Sequence, residues 1–513
     1  MKTAFNRDFL LIQRKSNAGR YDRPVGYSKG YFYKLFRNVR LWAYPLSLLA
    51  ALLVFTSCSL KEGEEKSTPN ILIILTDQQT NDAISYLGNP NLATPAMDQL
   101  AAEGTFFTVS YCTSPVCGPA RSSLITGMMP HETGVVWNST HIDSSVPTIG
   151  HLFQDAGYQT AWAGKWHLPQ SYPAKDKMDS VSGFKVIPFQ SLDEAWDLGE
   201  DTDGPIADAA VNYIREYNAE TPFLLAVSLH NPHDICHVPR RPGEYAGPDE
   251  LDNLPPLPPN FEIAEYEPEF LDEKRLMDHY GDELLLTKDY TPEDWRAYLY
   301  HYYRFTEMVD KEIGKIMEAL KSAGLDENTI VVLTSEHGDG AAAHRWAAKL
   351  SLYEEAATVP FIIRWKGHIP SGSINRDQLV SGIDLAPTLL DYAGVGNNVQ
   401  FTGKSLKPVL DDPRENLRDY LVVQLADDKL DSSRHARMIR NKRFKYNLYN
   451  QGERNEQLFD LWKDPGETTN LAYKENYLSV KNTLKAALSA WIRDSGDPFL
   501  EWHPLPEHSS LTQ

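Results

Sequence analysis

Five apolar runs of strand length recur along this chain: "NILIILTDQ", "YQTAWAGKWH", "PFLLAVSLHNPH", "NTIVVLTSEHGD" and "TVPFIIRWKG". A run such as Ile71 to Leu75 has no polar face, so it belongs in a sheet covered on both sides, the usual setting of parallel strands. The stretches between them are helical in spacing. "ATPAMDQLAAEG" and "DWRAYLYHYYRFTEMVDKEIGKIMEALKSAG" each stop at a glycine, and "DLAPTLLDYAG" follows the last run. Strands alternating with helices predict an α/β domain with helices on both faces of its sheet.

That domain does not use the whole chain. At 513 residues there is room for one large domain and a smaller one. Beyond about residue 400 the pattern changes to "YLVVQL", "ARMIRNKRFKYNLY" and "EQLFDLW", which predict a small antiparallel sheet, and "SVKNTLKAALSAWIRD" predicts a helix packed on it. The division is expected near residue 405, giving a main domain over 69–404 and an α+β subdomain over 405–513. Residues 239–291 are rich in proline and acid ("PDELDNLPPLPPNFEIAEYEPEF") and are expected to form a surface insertion rather than core.

Charge separates the start of the chain from the rest. Residues 1–40 carry ten Lys/Arg and two Asp in a protein whose net charge is −20. Such an acidic total argues against a nucleic-acid partner, although cations gathered in one pocket still take an anion. The basic start leads into "LWAYPLSLLAALLVFTSC", too short for a comfortable bilayer span and suited to the apolar region of an export signal. Its ending resembles the lipobox of bacterial lipoproteins, which would make Cys58 a lipidated N-terminus after removal of 1–57. The tether would be 58–68. The expected location is the periplasm or outer surface of a bacterium, with membrane contact through the lipid alone.

Three other cysteines remain: Cys112, Cys117 and Cys236. An odd number in an exported chain points to one special thiol. A Cys112–Cys236 bridge stays open as a reading. Cys117 lies in "SPVCGPARSSLITG", where Pro119 suits the first turn of a helix and Arg121 follows one turn on. An anion is favoured at a helix N-terminus, which would lower the pKa of a thiol there, so a nucleophile and a packed cysteine both remain readings. Four of the apolar runs also stop abruptly at ligand-type groups: Asp77-Gln78, Lys165-Trp166-His167, His230-Asn231-Pro232-His233 and Glu336-His337. In open α/β sheets the site lies beyond the carboxyl ends of the strands, so these groups should converge.

With these residues in view, Cys117-Gly118-Pro119-Ala120-Arg121, followed by Ser122, Leu124 and Gly127, resembles the C-x-P-x-R signature of the sulfatases. "NILIILTDQQ", "GKWH", "NPH", "TSEHGD", "AAAHRWAAKLSLYEE" and the stretch from Phe444 to Ala472 are similar to further elements of that family, over about Pro69 to Ala490. The resemblance implies an alkaline-phosphatase-like fold: a large mixed, mostly parallel sheet flanked by helices, with a smaller C-terminal antiparallel subdomain. It implies a hydrolase that removes sulfate from a sulfated carbohydrate, with Cys117 converted by a maturation enzyme to formylglycine. Arg121 and Lys165 would hold the hydrated aldehyde, His167 would act as base, His233 would serve the leaving alcohol, and Lys349 would bind the sulfate, with His344 on the substrate side. Asp77, Gln78, Glu336, His337 and residue 117 itself would hold a divalent metal, calcium first and manganese or magnesium as alternatives. Glu336 departs from the family, which commonly has Asp there; with one more methylene, either the site shifts or its ligand set includes Asp339. Two other functions compete: a phosphonate or phosphodiester hydrolase of the same superfamily, and a catalytically silent lipoprotein that binds sulfated glycans.

Overall fold

The computed structural model describes residues 68–218, 220–277, 282–426 and 434–502. The expected export segment, Cys58 and all but the last residue of the tether lie outside them. Strands follow in chain order as β1 (Asn70–Asp77), β2 (Thr105–Phe107), β3 (Ser110–Tyr111), β4 (Gln159–Gly164), β5 (Ser180–Val181), β6 (Phe184–Val186), β7 (Phe223–Pro232) and β8 (Thr329–Ser335). They continue as β9 (Phe361–Arg364), β10 (Ser373–Asn375), β11 (Val380–Ser381), β12 (Leu421–Ala426), β13 (His435–Arg440), β14 (Phe444–Tyr449) and β15 (Glu456–Asp460).

Nine of these strands form one sheet in the order β10-β2-β9-β8-β1-β7-β4-β6-β5. Its centre is parallel, with Ile74 of β1 level with Val227 on one side and Leu333 on the other. β9 runs antiparallel to both β8 and β2. The sheet is therefore mixed and mostly parallel, as expected. β1 shows why its sequence has no polar face. Ile71, Ile73 and Leu75 enter a core cluster on one side with Leu124 and Leu389, while Leu72 and Ile74 pack on the other with Ile206 and Ile313. Alternate residues of a strand point to opposite faces, and here helices cover both.

The helix Pro292–Ser322 supplies much of the second cover. Thr291 caps it, its hydroxyl accepting from the Asp294 amide while the Asp294 carboxylate accepts from the Thr291 amide at 2.8 Å. On the other face the helices Cys117–Thr126 and Leu385–Ala393 bury Leu124, Ile125, Leu385 and Leu389.

The C-terminal sheet, β12-β13-β14-β15, is antiparallel throughout. The helix Leu478–Ser495 covers one face through Leu484, Leu488 and Ile492. The other face adds Val423, Met438 and Phe459 to a core cluster with Tyr111, Trp346 and Tyr353. Two sequence expectations need correction here. Leu406, Val409, Leu410 and Leu417 still pack with the main sheet, so the new sheet begins later than the expected cut at 405. The proline-rich segment 239–291 is not merely superficial: Phe261, Phe270, Leu271 and Leu284 are buried in the cluster shared with the C-terminal sheet. Its prolines and acids are spaced between apolar anchors, which composition averaged over the segment conceals. Among the described residues no helix is long and apolar enough to cross a membrane.

Candidate active site

The four strand ends meet. Asp77 is the last residue of β1, and Gln78 turns away from it with φ 68°. β4 ends at Gly164 with φ 95°, where a Cβ would lie 2.0 Å from the Ser228 carbonyl oxygen, so only glycine allows β4 to close against β7 before Lys165 and His167. β7 bulges at its end: Leu75 pairs with Ser228, but Asp77 pairs with Pro232. The amides of His230 and Asn231 thereby leave the ladder, and both donate to the Asp203 carboxylate, at 2.5 and 2.9 Å. His233 follows the bulge, and Glu336-His337 leave β8 directly.

Cys117 is the first residue of the helix Cys117–Thr126 and is fully buried. Lys349 and His337 both contact it. Its Sγ lies 3.0 Å from Lys349 Nζ and 3.2 Å from His337 Nε2. His167 also acts on the same sulfur, lowering its pKa. Lys349 Nζ is also 3.4 Å from His233 Nε2, so one ammonium joins the thiol to the histidine. His167 and His233 are partly exposed as residues, although the Nδ1 atom of each is buried.

Charge is arranged in opposed pairs. Asp77 Oδ2 accepts from Lys165 Nζ at 2.6 Å and Arg121 Nη2 at 2.9 Å. Arg121 also meets Glu336, and donates to Ser228 Oγ at 2.8 Å and the Lys165 carbonyl at 2.9 Å. Burial alone would raise the Asp77 carboxyl, but Lys165, His233 and Arg121 outweigh it and hold the group well below the usual range. Burial likewise opposes ionisation of Cys117, yet Lys349, His337 and His167 carry its pKa well below that of a free thiol. Glu336 goes the other way: burial raises it well above a normal carboxyl, Arg121 opposes this, and Asp77 and Cys117 add to it.

The donor atoms of Asp77, Cys117, Glu336 and His337 lie within 4.8 Å of one another. Asp77 Oδ1 and both Glu336 carboxylate oxygens are buried without an aligned hydrogen bond, although Glu336 faces Arg121. The cluster fits a divalent cation: Asp77 and Glu336 offer hard oxygens, His337 a borderline nitrogen and residue 117 its side-chain atom. The Gln78 amide is turned aside: its Nε2 donates to Asp339 Oδ2 at 2.8 Å and approaches Cys236 Sγ at 3.3 Å. Asp339 in turn accepts from Tyr298 and the Ala341 amide, so it braces the neighbouring loop and is absent from the four-residue cluster.

His344 is not brought to the thiol by any contact among the described residues. Its ring is fully buried, stacked 3.9 Å from Tyr353, and burial with Arg275 and Lys445 nearby pushes its pKa down to about 3. The contacts of this enclosed ring are with Tyr353 and, at 3.5 Å, Asn260 Nδ2. Cys112, Cys117 and Cys236 are all free thiols, so the open question of a Cys112–Cys236 bridge closes against it.

Two side chains that bind backbone groups around the site escaped the sequence reading. Asp203 sits on the buried face of the helix Gly199–Glu216 beside Ile206 and Ala207. An aspartate at an apolar helical position was the available signal. Arg275 comes from the segment expected to be superficial, and nothing in its local sequence marks it.

Comparisons with known proteins agree with this geometry. The family model described as Sulfatase matches residues 69–395, and that of the N-sulphoglucosamine sulphohydrolase C-terminal region matches 342–494. A Δ4,5-hexuronate-2-O-sulfatase of Bacteroides thetaiotaomicron is 31% identical over 455 residues, covering 85% of this chain and 91% of its own. An ulvan-active sulfatase of Formosa agariphila is 28% identical, with 86% of this chain and 84% of its own length covered. The solved structure of a 2-O GAG sulfatase superposes with TM-score 0.76 at 29% identity, over 85% of this chain and 94% of that one. With its Cys-x-Pro-x-Arg helix start at the convergence of four strand ends, the chain belongs to the sulfatase family of the alkaline-phosphatase-like superfamily, and it is a sulfatase enzyme.

Proposed function

We propose that this enzyme removes sulfate from a sulfated saccharide through a formylglycine made from Cys117, assisted by a divalent cation. The observation that carries the reading is the surround of Cys117 Sγ, with Lys349 at 3.0 Å and His337 at 3.2 Å. Relatives named for hexuronate 2-O-sulfate and for ulvan support a glycan substrate.

The hydrate of a formylglycine provides two hydroxyls on one carbon, one to displace the alcohol from sulfur and one whose deprotonation later expels sulfate. A cation held by Asp77, Glu336, His337 and residue 117 would supply Lewis acidity toward the attacking hydroxyl; calcium is the first candidate, manganese or magnesium the next. Arg121 and Lys165 hold Asp77 ionised on one side of the site. Lys349 pairs with the sulfate oxygens, within reach of both residue 117 and His233. Burial, Lys165 and Lys349 keep His233 neutral at rest, its pKa well below the ordinary value. An anionic ester arriving beside it favours protonation, so His233 gains its proton with the substrate and passes it to the departing alcohol oxygen. Burial also lowers the pKa of His167, which leaves the ring neutral and able to take the proton from the second hydroxyl.

The test is sulfate release from an aryl sulfate and from defined sulfated saccharides, beside an aryl phosphodiester. Sulfate esters should be the better substrates, and peptide mass analysis should find the aldehyde at position 117. Faster phosphodiester cleavage would reassign the enzyme to phosphorus. Binding of sulfated glycans without sulfate release by aldehyde-bearing protein would reassign it as a lectin. From the basic start and the apolar run ending at Cys58 we also infer an exported lipoprotein, checked by labelling Cys58 with a fatty acid in the native host.

A further inference from the structure

The segment that delivers Lys349 has a backbone unlike the rest of the site. Six non-glycine residues between 341 and 350 have φ in the left-handed region: Ala341 (45°), Ala342 (64°), His344 (52°), Arg345 (52°), Ala348 (59°) and Leu350 (70°). Side chains with a Cβ resist that region, and the residues that adopt it do so because their surroundings overdetermine them. Part of the determination is internal, with the Gly340 amide donating to the Ala348 carbonyl at 2.7 Å and the Ala342 amide to the Trp346 carbonyl at 3.1 Å. The carbonyls of His344 and Arg345, at the crest of the turn, need a partner from outside.

Arg275 is that partner. Its Nη2 donates to the His344 carbonyl and its Nη1 to the Arg345 carbonyl, each at 2.9 Å. The guanidinium lies 4.7 Å over the Trp346 ring, and the Trp346 indole N–H donates to the Lys349 carbonyl at 2.9 Å. Glu267 fixes the other edge of the guanidinium at 3.0 and 3.2 Å and accepts from Tyr353 at 2.7 Å, below the His344 ring. A planar fork with five donors serves two carbonyls and a carboxylate at once, which an ammonium cannot do.

We propose that Arg275 is a positioning residue for the reaction, holding the 341–350 turn and, through Trp346, setting Lys349 against residue 117 and the sulfate. The inference rests on the assignment of Lys349 to sulfate. The segment 239–291 is then the brace of the catalytic lysine as well as cover.

The test uses the matured enzyme and inorganic sulfate as the probe, with its dissociation constant measured by calorimetry and kcat and KM measured on an aryl sulfate. Lys349→Ala should weaken sulfate binding by ~10–100-fold, the scale of one charge-assisted hydrogen bond. Arg275→Ala should weaken it by about tenfold, and should add nothing further in the Lys349→Ala background, because both changes remove one grip. Trp346→Phe keeps an aromatic ring, smaller than the indole, but loses the N–H, and should weaken sulfate several-fold; if Arg275→Ala fails to fold, this variant decides, and unchanged binding overturns the proposal. An Arg275 effect that persists in full on Lys349→Ala overturns the brace alone. Wild-type sulfate affinity in Lys349→Ala overturns both the brace and the lysine assignment beneath it.

Discussion

Glu336 and Lys349 both face the Cys117 pocket from the chain that follows β8, and they get there by opposite means. Glu336 is one residue past the strand, so its position is inherited from a ladder shared with β1 and β9. Lys349 is thirteen residues further on, at the end of a turn in which six residues hold φ values that cost roughly 1–2 kcal/mol each for an L side chain. The ladder satisfies its own backbone groups, whereas the turn borrows Arg275, Tyr298 and Asn260 for four of its groups, Arg275 serving two of them. A strand end therefore places a side chain cheaply but only along the sheet edge. A braced turn brings its side chain to residue 117 from beyond the sheet edge, at the expense of outside partners.

The comparison can be broken first at the point where the two meet. Cys117→Ala should reduce turnover by at least ~10⁴-fold while circular dichroism stays unchanged, since every other group waits on residue 117. A chelator should act comparably on the wild type; full activity in chelator would remove the cation from the chemistry. Next, Lys349→Ala should cost ~10²–10³-fold in kcat/KM, the scale of one lost donor to developing charge. A loss below tenfold would show that the turn does not deliver a catalytic group at all.

The sheet side is probed by Gly164→Ala, which puts a Cβ 2.0 Å from the Ser228 oxygen at φ 95°. It should destabilise by about 1–3 kcal/mol in urea unfolding, as overpacking does, and lower activity through Lys165 and His167. Unchanged stability would mean that the strand end tolerates movement, erasing the contrast with the turn.

The smallest effect concerns Asp203, which clamps the β7 bulge and whose pKa is pushed up to about 8 by burial, against the amides of His230 and Asn231. The folded state binds that proton more tightly than the unfolded chain does. The stability it lends is complete below the ordinary carboxyl pKa and is lost as pH rises through about 8. Asp203→Asn should therefore melt with less dependence on pH between 6 and 9 than the wild type. Equal slopes would show that the bulge is held without a titrating clamp.

Legibility in sequence followed the same division. Asp77, Lys165, His167, His233, Glu336 and His337 could be read because each ends an apolar run, and a run of that kind predicts its own strand and the edge where it stops. Cys117 and Arg121 could be read because Pro119 announces a helix start. Lys349 was reached by family resemblance alone, and His344, drawn in on the same basis, packs on Tyr353 instead. Gln78 follows Asp77 in the sequence, yet its φ of 68° and its bonds to Asp339 and Cys236 turn it aside, which no local pattern announces. Asp203 and Arg275 act on carbonyls and amides whose partners are decided by a bulge and a left-handed turn.

The order of residues was enough, by itself, to specify an α/β sheet covered on both faces, a helix opening at Cys117 and the set of groups gathered at the strand ends, because each depends on periodicity within a short window. Only the tertiary structure decided that the thiol is enclosed, that residues 239–291 contribute core and a brace, and that the main core runs on past residue 405. Those outcomes depend on which distant backbone groups are left needing partners after the sheet has formed. That need arises from long-range packing, and no local window contains it.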